Sequence, residues 1–115
     1  HARYCALLAD CPGVEVKCAP TEEYDSNYWL TCVLVDPDKA GFTREDLRLQ
    51  LEAESIESRP LWKPMHLQPV FAEAPRYVDG TSEGLFDRGL CLPSGTLVTE
   101  EDLQRIVAVI RSLGR

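Results

Sequence analysis

The apolar positions of the chain change period several times, and each change marks an element. Within residues 1–10, Tyr4, Leu7 and Leu8 share one face of a short amphipathic helix. Cys11-Pro12-Gly13 ends it, because proline cannot extend the hydrogen-bond ladder and glycine permits a sharp exit. Val14 and Val16 then alternate with Glu15 and Lys17, the period of a half-buried strand. After a polar, acidic loop from Thr21 to Asn27, the aromatic and β-branched run Tyr28–Val35 is the strongest strand signal. Its continuity implies burial on both faces, hence a central strand, with Tyr28 and Trp29 assigned to the core.

Asp36 to Gly41 reads as a turn. Thr43, three residues before Asp46, resembles a capping box and opens a helix to about Glu54, with Leu47 and Leu51 on its inner face. Residues 56–62 look extended. Four prolines between Pro60 and Pro75 then rule out a long helix and predict a structured loop with at most a turn or two. Asp79-Gly80-Thr81-Ser82 starts a short helix ending near Gly89, and Leu90-Cys91-Leu92 reads as a strand. Thr99 and Asp102 repeat the capping pattern before Leu103, Ile106, Val107 and Ile110, a buried helical stripe. Glu101 and Arg105 are spaced for a surface pair, and Arg111 and Arg115 complement the helix carboxyl end. The strands lie too close in sequence for βαβ crossovers throughout. The expected fold class is α+β: a small three- or four-stranded, mostly antiparallel sheet with helices packed on one side, forming one domain over residues 1–115.

Charge and composition narrow the function. A net charge of −7, with the acids dispersed, argues against a nucleic-acid backbone as partner. No apolar run is long enough to cross a membrane, and residues 1–10 lack the order of a secretory leader. The five cysteines, an odd number without a CxxC pair, suggest reduced and mostly buried thiols in a cytoplasmic protein, and no metal site is expected. The opening His1-Ala2-Arg3-Tyr4 has the character of a helix interior, so the chain is expected to be a domain excised from a longer polypeptide.

The stretch richest in chemistry is residues 57–69, where prolines stiffen a loop carrying Arg59, Trp62, Lys63, Met65 and His66. Such loops present polar groups in fixed directions. Composition alone favours the other reading, a packed loop with Trp62 in the core, Arg59 and Lys63 solvated and His66 bonded to a carbonyl.

The segment Ser58-Arg59-Pro60-Leu61-Trp62-Lys63-Pro64-Met65-His66-Leu67-Gln68-Pro69 resembles the C-terminal region of the DegT/DnrJ family of sugar aminotransferases. Ser26-Asn27-Tyr28-Trp29-Leu30 and Gly89-Leu90-Cys91-Leu92-Pro93-Ser94-Gly95 stand at matching distances. The resemblance implies a homodimeric fold-type-I enzyme dependent on pyridoxal 5'-phosphate (PLP). Its large N-terminal domain holds the Schiff-base lysine, and its small C-terminal domain closes one side of the cleft. The reaction implied moves an amino group from glutamate to a nucleotide-linked keto sugar for cell-surface glycan biosynthesis, and the loop leans toward a UDP-linked 4-keto-6-deoxy-N-acetylhexosamine.

Carried over residue by residue, the resemblance implies substrate contact by His66, with Trp62, Lys63 and Met65 flanking it. Arg59 either meets the glutamate carboxylate or, the favoured reading, pairs with a surface acid. Lys17, Lys39 and Lys63 are the only lysines, and none sits where the family places its Schiff base, so the chain alone is expected to be inactive and to hold no PLP. Two other readings stay open: a PLP-dependent sugar dehydratase of the same family, and a stand-alone α+β ligand-binding or dimerisation module.

Overall fold

The computed structural model describes residues 1–114; Arg115, one of the two expected helix-end cations, lies outside the described residues. Among the described residues, α1 (Ala2–Leu8) leads into β1 (Val14–Val16) and β2 (Thr31–Val35). One-turn α2 (Pro37–Ala40), α3 (Arg44–Ala53) and two-residue β3 (Arg59–Pro60) follow, then α4 (Thr81–Arg88), β4 (Gly89–Leu92) and α5 (Glu100–Leu113). The sheet order is β1-β2-β4-β3, and every neighbouring pair is antiparallel. The α+β class and the antiparallel sheet expected from the sequence are both present.

Strand pleating sorts the central strands into two faces. Val33 pairs with Leu90 and Thr31 with Leu92 on one face, while Cys32 meets Cys91 on the other. Val33, Val35, Leu90 and Leu92 join the main core with Tyr4 and Leu8 of α1, Leu47 and Leu51 of α3, and the α5 stripe. Val109 is buried with that stripe, a position the four-residue pattern left out. Leu34, on the opposite face, is buried too, and α4 contacts both β2 and β4.

Both expected capping boxes form. Thr43 accepts from the Asp46 backbone N–H while Asp46 accepts from that of Thr43, and Thr99 and Asp102 do the same at α5. Each box satisfies donors that the first helical turn leaves free. The expected turn at Asp36–Gly41 closes as the single helical turn α2, with Asp36 as its cap and Gly41 left-handed after it. Gly13, at φ 72°, lies so near α2 that a Cβ there would stand 2.4 Å from the Ala40 nitrogen.

Three expectations are corrected. The strand begins at Thr31 rather than Tyr28, because Tyr28 has a left-handed φ of 46° and breaks the ladder. Trp29 is 73% exposed and so is not a core residue. Arg105 turns away from Glu101 to the carbonyl and carboxylate of Glu54, joining α5 to the end of α3. Arg111 reaches across to the Leu7 carbonyl and the Asp10 carboxylate, tying α5 to α1. The cysteines differ as well: Cys91 is buried, Cys18 is exposed, and Cys5, Cys11 and Cys32 are half-buried, so the thiols are not mostly buried. No helix among the described residues is long and apolar enough to cross a membrane.

Candidate functional site

The sheet edge positions the proline-rich loop. Arg59 pairs with Cys91 and Pro60 with Leu90, so the chain leaves β4's flank heading outward. Its prolines restrict it to two 3-10 turns, Met65–Leu67 and Pro69–Phe71, as fixed φ and missing donors require. Gln68 donates from its side chain to the Lys63 carbonyl at 2.9 Å, bracing the first turn. Much of the loop surface is apolar yet exposed: Trp62 at 68%, and Met65 and Val70 similarly.

Between this edge and α5 lies an open groove of about 550 Å³. Ile56, Leu92, Val98 and Ile106 give it an apolar floor, and Ser58, Arg59, Ser94, Asp102 and Arg105 supply polar groups. The Ser58 hydroxyl oxygen is buried there with no hydrogen-bond partner. Asp102 is engaged by its own cap: the Thr99 backbone N–H, then the Thr99 hydroxyl, hold its carboxyl below the usual range. Burial first, and the neighbouring Cys32 second, push the Cys91 thiol up to about 12, so it stands in the groove as an uncharged, weakly polar wall.

The five residues singled out in the sequence divide here. Arg59 and Trp62 line the groove; Lys63, Met65 and His66 sit farther along the loop and do not line it. Trp62 is far from the core position that a packed loop would give it. Its ring centroid lies 6.4 Å from that of Trp29, and the two indoles form an exposed rim. The Arg59 guanidinium is paired with Glu57 at 2.6 Å, matching the surface-acid reading. His66 is held by α4 rather than by a carbonyl: its Nε2 lies 2.6 Å from Glu83 Oε1. Sequence reasoning did not pick out Ile56, Val98 or Arg105 as groove residues. They come together only through sheet pairing, and no local pattern carried that information.

Away from the groove the fold gathers His1, Cys5 and Cys18, three donors that the sequence reading, expecting no metal site, left apart.

Residues 1–111 match the DegT/DnrJ/EryC1/StrS aminotransferase family. The chain belongs to that family. EpsN of Bacillus subtilis strain 168, whose name describes a pyridoxal phosphate-dependent aminotransferase, is 42% identical over 92 residues, covering 76% of this chain and 23% of EpsN. A GDP-perosamine synthase of Caulobacter vibrioides is 35% identical over 83 residues, covering 72% of this chain and 22% of its own length. Among solved structures, DesI with its TDP-sugar product superposes with a TM-score of 0.85 at 29% identity, over 99% of this chain and 29% of DesI. The chain therefore spans less than a third of each of these relatives.

Family members are PLP-dependent. The residues present do not suit that cofactor. Lys17 is paired with Glu15 and Lys39 with Asp36 on the surface, Lys63 is an exposed loop residue, and no lysine lines the groove. No step through PLP follows from these side chains.

Proposed function

We propose that this chain is the C-terminal small domain of a PLP-dependent sugar aminotransferase, which transfers an amino group from glutamate to a nucleotide-linked keto sugar. In this reading a large N-terminal domain supplies the lysine and most cofactor contacts. The groove and the 58–69 loop then form one wall of the cleft in a homodimeric, cytoplasmic enzyme of glycan biosynthesis. The observation that carries the reading is the family match over residues 1–111, in a chain that spans under a third of its relatives and offers no cleft lysine.

Two structural features support it. A concave apolar groove edged by exposed indoles, with a few polar groups converging on it, has the make-up of a ligand-binding wall. The loop beside it is stiffened by proline and braced by Gln68, so Trp62, Lys63 and His66 keep fixed directions. An indole face suits a sugar ring and an ammonium suits a diphosphate, which assigns Trp62, Lys63, Met65 and His66 to substrate contact. The sugar proposed is UDP-4-keto-6-deoxy-N-acetylhexosamine.

The test is amino transfer by the full-length enzyme, with glutamate as donor and this nucleotide sugar as acceptor. The reading expects the 4-amino sugar as product, and a raised KM for the sugar in a Lys63→Ala variant. Dehydration of the sugar without loss of glutamate would replace transamination with the dehydratase reading.

A further inference from the structure

His1 and Cys5 lie four residues apart, one turn of α1, so their side chains emerge on the same helix face. Cys18, just past β1, comes to the same point from the sheet. The His1 Nε2 lies 3.4 Å from Cys5 Sγ and 3.5 Å from Cys18 Sγ, and the two sulfurs are 3.8 Å apart.

These three separations match the edges of one face of a tetrahedral metal site. Zinc holds sulfur at about 2.3 Å and imidazole nitrogen at about 2.05 Å; tetrahedral angles then place two sulfurs about 3.8 Å apart and nitrogen about 3.6 Å from each sulfur. All three edges agree with these separations within about 0.2 Å. A disulfide would need the sulfurs near about 2.05 Å.

The donors are also held in place. The His1 ring stacks on Tyr28, with centroids 3.7 Å apart and planes 6° from parallel. Tyr28 in turn accepts a hydrogen bond from the backbone N–H of Ala19, next to Cys18. The Lys17 N–H donates to the Cys32 carbonyl at 2.9 Å, which anchors the Cys18 segment to β2. This arrangement gives the left-handed Tyr28 a purpose that a continuous strand would not serve. The imidazole makes no capping bond at α1, and its Nδ1 is buried without a partner. Ligation through Nε2 leaves the ring proton on Nδ1.

We propose that His1, Cys5 and Cys18 form a zinc site, with water as fourth ligand on the side where Cys18 is exposed. Two thiolates and an imidazole are soft and borderline donors, which favours zinc over magnesium or calcium. Zinc binding displaces the thiol protons to solvent as the metal–sulfur bonds form, with no change of oxidation state. The ion would clamp the start of α1 to the β1–β2 connection.

The test uses the full-length protein, stripped of metal and given zinc alone, with cobalt as a spectroscopic probe. One zinc is expected to protect Cys5 and Cys18 of the wild-type protein from alkylation while Cys11 stays reactive. Cobalt is expected to give the strong visible bands of tetrahedral thiolate ligation. Cys5→Ser or Cys18→Ser is expected to weaken zinc by more than about 100-fold, beyond the loss seen when only a ligand's hydrogen-bond partner is removed. Equal alkylation of the two cysteines with and without zinc would overturn the proposal, as would recovery of both as a Cys5–Cys18 disulfide that zinc does not prevent. Neither result bears on transamination, so this site and the aminotransferase reading fail separately.

Discussion

His66 Nε2 lies 2.6 Å from Glu83 Oε1, fastening the proline-rich loop to the first turn of α4. The imidazole is 10% exposed and Glu83 41%, so water reaches the pair mainly from the glutamate side. His66→Ala should therefore cost the fold only about 1 kcal/mol. If the ring also contacts the sugar, KM for the nucleotide sugar should rise about tenfold or more in the full-length enzyme. Glu83→Gln, which keeps the ring and only loosens it, should raise KM less. Steady-state kinetics of both variants check this order.

The capping boxes set an acid limit on stability. The Thr43 hydroxyl, then the Thr43 backbone N–H, hold the Asp46 carboxyl below its usual range, and Asp102 is lowered by the same groups of Thr99. With folded values depressed, the unfolded chain binds more protons in acid. The stabilisation is complete above the ordinary carboxylate value, about 3.9, and is lost as pH falls through the lower folded values. Urea midpoints measured by circular dichroism should fall as pH drops below about 4, and Asp46→Asn with Asp102→Asn should flatten that slope.

Those boxes were legible in the sequence because they are local: a threonine, a spacing of three and an acid decide them. The α5 stripe and the strand Leu90-Cys91-Leu92 were legible for the same reason, each being a short-range pattern. Tyr28-Trp29 misled because a ring stacked on His1 and an indole on an exposed rim have the composition of a buried strand. The groove was not legible, since Ile56, Val98 and Arg105 meet only after β3, β4 and α5 assemble. The His1–Cys5–Cys18 cluster did leave a trace, the helix-face spacing of His1 and Cys5, but Cys18 joins them only through the fold and no CxxC pair marks the site.

Gly13 should be among the least tolerant positions. Alanine there would adopt a disfavoured φ and press its Cβ against the Ala40 nitrogen and the Asp36 carbonyl. Gly13→Ala should destabilise the chain by more than about 1 kcal/mol, read as a lower urea midpoint. Gly41→Ala, with the same sign of φ but open space around it, should cost less.

Cys91 should be chemically quiet. With its thiol pushed up to about 12, chiefly by burial, almost no thiolate exists at pH 8. Iodoacetamide under native conditions should label exposed Cys18 of the metal-free protein and leave Cys91 unmodified until urea is added.

The most direct measurement is the absorbance of the purified full-length enzyme before and after glutamate is added, with residues 1–115 alone as control. The full-length protein should show a bound-PLP band that glutamate converts to that of pyridoxamine phosphate, and the 115-residue chain should show neither. A full-length protein that binds no PLP, or whose PLP band ignores glutamate, would contradict the assignment.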